Sequence, residues 1–275
     1  MDVSMVYFSQ TGNTRQVADA IANAFRQAGH QVQNVPLEKA TPGTLEGDLV
    51  GVGTPCFACQ APSPVKAYLD ALPSLNGKRA FVFATAGGAP GRVLYDLARP
   101  LRTKGADIVG GFLARGEVYH PAPYILGRFP GRPDDQDLDR AQSFADALAR
   151  HVAAEQTGAL PESRSDALRA GWGFYDIVAK ITPDVVARLL MPEPKVDAAK
   201  CDQCQWCVRH CPVGNIALQP TPVLGGACIR CYRCLTGCPK EAFSANWAIG
   251  DLILKALYNP PFERWFGDLG PAEQL

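Results

Sequence analysis

Cysteine is the residue type whose spacing says most in this 275-residue chain, which has ten of them. Eight fall in two runs, Cys201-x2-Cys204-x2-Cys207-x3-Cys211-Pro212 and Cys228-x2-Cys231-x2-Cys234-x3-Cys238-Pro239. Disulfide scaffolds belong to short secreted chains, and this chain is neither short nor visibly secreted. A structural zinc takes four ligands, so eight thiols would serve two ions. A zinc ribbon, however, has no use for the third cysteine of each run or for the two Cys-Pro pairs. Eight crowded cysteines in a reducing compartment point to thiolate ligands for metal. A second chemistry-bearing stretch is Ser9-Gln10-Thr11-Gly12-Asn13-Thr14. Placed before a helix, it offers hydroxyls, an amide and unpaired backbone N–H groups to an anion. Gly12 lets the backbone turn tightly. None of these donors is Lys or Arg, which suits a monophosphate better than a triphosphate needing a Walker lysine.

These residues need elements to hold them. Apolar runs at Val3–Phe8, Gln31–Val35, Leu49–Val52, Ala80–Ala84 and Ile108–Leu113 read as five strands. Helical periods fall between them at Thr14–Ala28, Val65–Leu72 and Val93–Lys104, with a long amphipathic stretch at Asp134–Ala154. Alternation of this kind gives an α/β, doubly wound parallel sheet with helices on both faces. Ligands in such sheets sit beyond the carboxyl ends of the strands, where strand order reverses. The loops to watch are those after strands one, three and four. The expected organisation is 1–155 as the α/β domain, 156–194 as linker and helical connector, 195–245 as the cysteine domain and 246–275 as a tail packed on the domains.

Each cysteine run resembles the bacterial two-[4Fe-4S] ferredoxin motif, in which the fourth cysteine binds the other cluster. Three thiolates on one tight loop grip three corners of a cubane, and the proline turns the fourth toward its neighbour. The resemblance assigns Cys201, Cys204, Cys207 and Cys238 to one cluster, and Cys228, Cys231, Cys234 and Cys211 to the other. The segments after each run, Cys211-Pro-Val-Gly-Asn-Ile216 and Cys238-Pro-Lys-Glu-Ala-Phe243, also look like those of two-cluster ferredoxins. Ser-x-Thr-Gly-Asn-Thr after a first strand resembles the FMN phosphate loop of flavodoxins. That implies FMN, its ring held by Thr54-Pro55-Cys56-Phe57-Ala58-Cys59 and by Thr85-Ala86-Gly87-Gly88. The whole chain is thus similar to flavodoxin–ferredoxin fusions: a flavodoxin-like five-stranded domain and a small α+β ferredoxin domain, with FMN and two clusters as cofactors.

The chain departs from short flavodoxins in the aromatic residues that would flank the ring. The first ring loop offers Phe57 and the second none. Tyr119, His120, Tyr124 and Phe129 either cover the flavin or are ordinary loop packing. Cys56 and Cys59 have three readings: small buried residues, a redox dithiol, or half of a metal site. Lys200, Arg209, Arg230, Arg233 and Lys240 near the runs either steer an acidic partner or balance cluster charge.

Composition narrows the function classes. With 27 Lys+Arg against 27 Asp+Glu, nothing favours nucleic acid. The longest charge-free stretches are broken by Gly, Pro and polar residues, so no transmembrane segment is expected. Met1-Asp2 leads straight into a strand-like run without a secretory leader pattern, and the expected location is cytoplasmic and anaerobic. Gly87-Gly88-x-x-Gly91 is too degenerate for a nicotinamide motif. Two functions remain. One is electron transfer to or from a partner such as a ferredoxin or a low-potential oxidoreductase. The other is reduction of a small molecule at the flavin, with the clusters as its wire.

Overall fold

The computed structural model describes residues 1–123, 125–154, 177, 191–257 and 260. Five strands and four α-helices frame the first part: β1 (Asp2–Tyr7), α1 (Asn13–Gln27), β2 (Gln31–Pro36), β3 (Leu49–Pro55), α2 (Ser63–Asp70), β4 (Arg79–Ala86), α3 (Val93–Thr103), β5 (Asp107–Arg115) and α4 (Asp135–Ala153). The five strands make one parallel sheet in the order β2-β1-β3-β4-β5. Near-continuous apolar runs explain why these strands are central: β1, β3, β4 and β5 are buried along almost their whole length. Strand order reverses between β1 and β3, which marks the crevice between their carboxyl ends.

Amphipathic helices close the core. Val17, Ile21 and Phe25 of α1 meet Phe144 and Leu148 of α4 over Phe81, Phe83 and Phe112 of the sheet. The Phe112 and Phe144 rings stack at 5.3 Å. Asp134 caps α4, accepting from Asp137 N at 3.0 Å, while Asp137 accepts in return from Asp134 N at 3.2 Å. The sequence boundaries hold to within three residues throughout the sheet and its helices. The largest difference is at β3, which runs on through Gly53-Thr54-Pro55 because each residue there has a β4 partner. The α2 helix begins at Ser63, earlier than expected, because a proline in a first turn lacks only an N–H that had no helical partner anyway.

The described residues divide into two compact units. Met1–Glu117 and the described part of Phe129–Ile181 make one; Val118–Arg128 and the described part of Thr182–Asp268 make the other. The second unit contains β6 (Lys195–Val196), α5 (Trp206–His210), β7 (Ile216–Leu218), β8 (Pro222–Leu224), α6 (Arg233–Thr236), β9 (Phe243–Ser244) and α7 (Ala248–Leu257). β6 pairs antiparallel with β9, and β7 with β8. Its small core gathers Cys207, Ile216 and Phe243, with Trp206, Leu224 and Leu235 packed around them. The two cysteine runs share one backbone design. Gln203 and Arg230 have φ of 58° and 55°, and Gln205 and Tyr232 have φ of 60° and 55°. Each run then enters a short helix. The linker and connector expected at 156–194 lie almost wholly outside the described residues. Of the tail, α7 forms the helix expected there, with Leu252 exposed on it.

Candidate functional site

In the first unit, the loops after β1, β3 and β4 converge by hydrogen bonding. The Thr14 and Thr85 hydroxyls share a buried bond of 2.8 Å. Cys56 N donates to Thr85 O at 2.8 Å, and Arg92 N donates to Cys59 O at 2.9 Å. Gly12 takes φ +109° just before α1, with open space where a Cβ would stand. Arg15 N donates to Ser9 Oγ at 3.2 Å, which leaves the Ser9 proton to be donated. Asn13 spends its side-chain amide on Glu117 O at 2.9 Å, so it braces the loop. Of the Thr14–Thr85 pair, the accepting hydroxyl keeps its own proton. What remains around the loop are Thr11, the Ser9 hydroxyl and the first backbone amides of α1, all neutral. This donor set fits a phosphate monoester held by dipoles.

The ring-loop residues are close-packed. Thr54, Thr85 and Ala86 are buried, and Gly87 and Gly88 are half-exposed. Phe57 to Gln60 form a tight turn, with Phe57 N bonding Gln60 O at 2.9 Å, Gln60 N bonding Phe57 O at 3.1 Å, and Ala58 and Cys59 at positive φ. Cys56 Sγ lies 3.4 Å from Pro90 O. Burial first, then the Asp96 carboxylate, push its thiol up to about 12. That is the environment of a packed thiol and the opposite of an activated one. Arg115, which the sequence reading passed over, is buried at the end of β5. Its Nη1 donates to Gly88 O at 2.9 Å, and its guanidinium lies over the Phe129 ring at 5.2 Å. A charged residue closing an apolar strand was the one available signal.

Of the aromatic candidates for the flavin, Phe129 is thus the platform of Arg115, and Tyr124 lies outside the described residues. His120 packs in the second unit, edge-on to Tyr232 at 4.7 Å and against Trp247 at 5.3 Å. For His120 this is the packing alternative.

In the second unit, the two cysteine runs cross. One cavity is lined by Cys201, Cys204, Cys207 and Cys238, three from the first run and the last from the second. The Trp206 indole occupies the space where a Cβ on Gly237 would stand, so the first run packs directly against the residue before Cys238. The Cys207 thiol is raised by burial and, with it, by the Cys238 and Cys201 thiols nearby. Around the second run, burial first and then neighbouring thiols, Cys211 and Cys228 among them, push Cys231 up to about 11 and Cys234 up to about 12. Asn215 makes that grouping. Its N–H donates to Cys211 Sγ at 3.2 Å, and its side-chain Oδ1 accepts from Ala227 N at 2.8 Å, next to Cys228. Ala242 N likewise donates to Cys238 Sγ at 3.4 Å. None of the ten cysteines is paired in a disulfide. Among the described residues, no group of three or more Cys, His, Asp or Glu draws together as the ligands of a single metal ion.

Residues 4–125 match the flavodoxin domain family. The N-terminal unit is flavodoxin-like. A flavodoxin from Megasphaera elsdenii is 29% identical over 112 residues, which are 39% of this chain and 82% of the relative. Flavodoxin 1 of Bacillus cereus is 21% identical, with a TM-score of 0.43, over 55% of this chain and 99% of its own. The rubredoxin oxygen:oxidoreductase of Desulfovibrio gigas is 20% identical, with a TM-score of 0.46, over 56% of this chain and 36% of its own. Flavodoxin-like units are FMN-binding electron-transfer domains, in keeping with the neutral donors of the Ser9–Thr14 loop. Among the described residues, no helix is long and apolar enough to cross a membrane.

Proposed function

We propose that the chain is an iron–sulfur flavoprotein that moves electrons between two [4Fe-4S] clusters and FMN and exchanges them with a partner redox protein. The observation that carries this reading is the cavity lined by Cys201, Cys204, Cys207 and Cys238, which unites cysteines from both runs as cross-ligation of two cubanes requires. Bound clusters pass single electrons and bound FMN takes one or two, so a chain holding both converts between the two kinds of traffic.

The chain's own residues bind and orient. Ser9, Gln10, Thr11 and Gly12 would surround the FMN phosphate, with Asn13 and Thr14 bracing that loop against Glu117 and Thr85. Residues 54–59 and 85–88 would hold the ring, and Arg115 fixes the second of these loops through Gly88. Cys204, the exposed member of its set, leaves one face of that set open to a partner. Lys240 stands near Asp202 at 3.7 Å, and Arg209 donates to Cys204 O at 3.0 Å, so the cations here are partly engaged locally.

Anaerobic reconstitution with iron, sulfide and FMN tests the reading. About eight iron per chain and one FMN are expected. Two zinc ions with no iron taken up, or no flavin retained, would overturn it.

A further inference from the structure

His120 comes from Val118–Arg128, the segment that follows β5 in sequence but belongs to the second unit. There it completes an aromatic group with Tyr232 and Trp247, whose own rings lie 4.8 Å apart. Tyr232 stands between Cys231 and Cys234, is almost fully buried, and donates its hydroxyl to Pro192 O at 2.6 Å. His120 Nδ1 accepts from Ala122 N at 3.2 Å. A ring nitrogen that accepts carries no proton, so in the neutral imidazole the proton is on Nε2. Burial, which lowers the imidazole pKa to about 4, keeps it neutral near pH 7.

That Nε2–H is buried without a hydrogen-bond partner. A buried donor left unmade is costly and calls for an explanation. It has company. Arg230, between Cys228 and Cys231, pairs with Glu193 at 3.0 Å through Nη1, yet its buried Nε also has no hydrogen-bond partner. Two unmet donors therefore border the second cysteine run. Among the described residues, no such atom belongs to residues 201–211. Cluster sulfurs accept hydrogen bonds, and those bonds help set the potential.

We propose that His120 is a positioning residue of the Cys211, Cys228, Cys231 and Cys234 set, its Nε2–H being the donor to a sulfur of the group bound there. The inference rests on the iron–sulfur reading above. An N–H aimed at sulfur favours the more negative, reduced form, so His120 holds the potential of that set above what its thiolates alone would give.

The test uses the full reconstituted chain, with His120→Phe to keep a ring without the donor and His120→Gln to restore an N–H. Iron is counted, and both cluster potentials are read by EPR-monitored titration. His120→Phe is expected to keep its iron and to lower one potential by a tenfold change in equilibrium constant, about 59 mV for one electron. The other potential stays in place, and His120→Gln recovers part of the shift. Loss of iron from one set in His120→Phe, restored in His120→Gln, also supports the donor. Two unmoved potentials at full iron would mean that the N–H is satisfied by the Tyr232 or Trp247 ring face, and the proposal fails. Equal iron loss in both variants would reduce His120 to packing and overturn it as well. A wild-type chain that takes up no iron sinks the iron–sulfur reading itself, before any variant is compared.

Discussion

Cys56 shows how a single environment decides between readings that the sequence leaves open. Its Sγ faces the carbonyls of Ala89 and Pro90, and its thiol holds the proton to about 12. The folded chain keeps that proton where the unfolded chain, near the ordinary 9.0, has lost it. Stability from this group is therefore complete below pH 9 and declines as pH climbs from there toward 12. Iodoacetamide at pH 8 is expected to leave Cys56 unmodified in the native protein and to label it after unfolding, read by mass spectrometry. Rapid native labelling would revive the dithiol reading. Gly237 is decided by space instead. A methyl group there collides with the Trp206 indole, and the displaced segment carries Cys238. Gly237→Ala is expected to lose about half the iron while the far-ultraviolet spectrum of the sheet is retained. A full iron count would show that the indole can move aside.

At the scale of elements, the entry to α4 is the most exacting point of the first unit. Asp137 is fully buried and accepts from Arg132 through both carboxylate oxygens, while it also closes the capping box with Asp134. Arg132 is itself mostly buried. Removing one member of such a pair costs about 3–5 kcal/mol when the other charge is left alone, and here Arg132 would keep only its contact with the partly exposed Asp134 at 3.3 Å. Asp137→Ala is expected to lower the unfolding free energy of the flavodoxin-like unit, read from its urea midpoint and slope, by up to an amount in that range. A loss under about 1 kcal/mol, the scale of an exposed pair, would mean that water reaches Arg132. The strands needed no such detail to be found. Val3, Met5, Val50, Val52, Phe81 and Phe83 announce buried parallel strands because both faces of each strand are covered. The hydroxyls of the first loop were equally legible as donors. Their division of labour was not, because Asn13 turning to Glu117 and Thr14 to Thr85 are meetings of residues far apart in the chain.

For the whole molecule, the least legible feature is which unit a segment belongs to. Sequence order places Val118–Arg128 inside the flavodoxin-like part, between β5 and α4. Nothing in its composition announces Tyr232 as its neighbour, since side chains more than a hundred positions apart share no local period. The cysteine runs, by contrast, were readable because each copy repeats the other in spacing, a repeat the backbone conformation then follows. If the second unit needs this segment, its chemistry should fail separately from that of the first. Replacing residues 119–127 of the full chain by a Gly-Ser tract removes His120 and Ala122 but leaves residues 9–14, 54–60 and 85–88 unchanged. The buried face of Tyr232 then meets water, a loss on the order of 1.5–3 kcal/mol for a large side chain, next to two cysteine ligands. FMN is expected to bind with unchanged stoichiometry, while iron falls toward one cluster per chain and the remaining iron becomes easier to strip with a chelator. Full iron with unaltered resistance would show that the second unit stands without the segment. Loss of FMN together with iron would show that the first unit depends on the segment too.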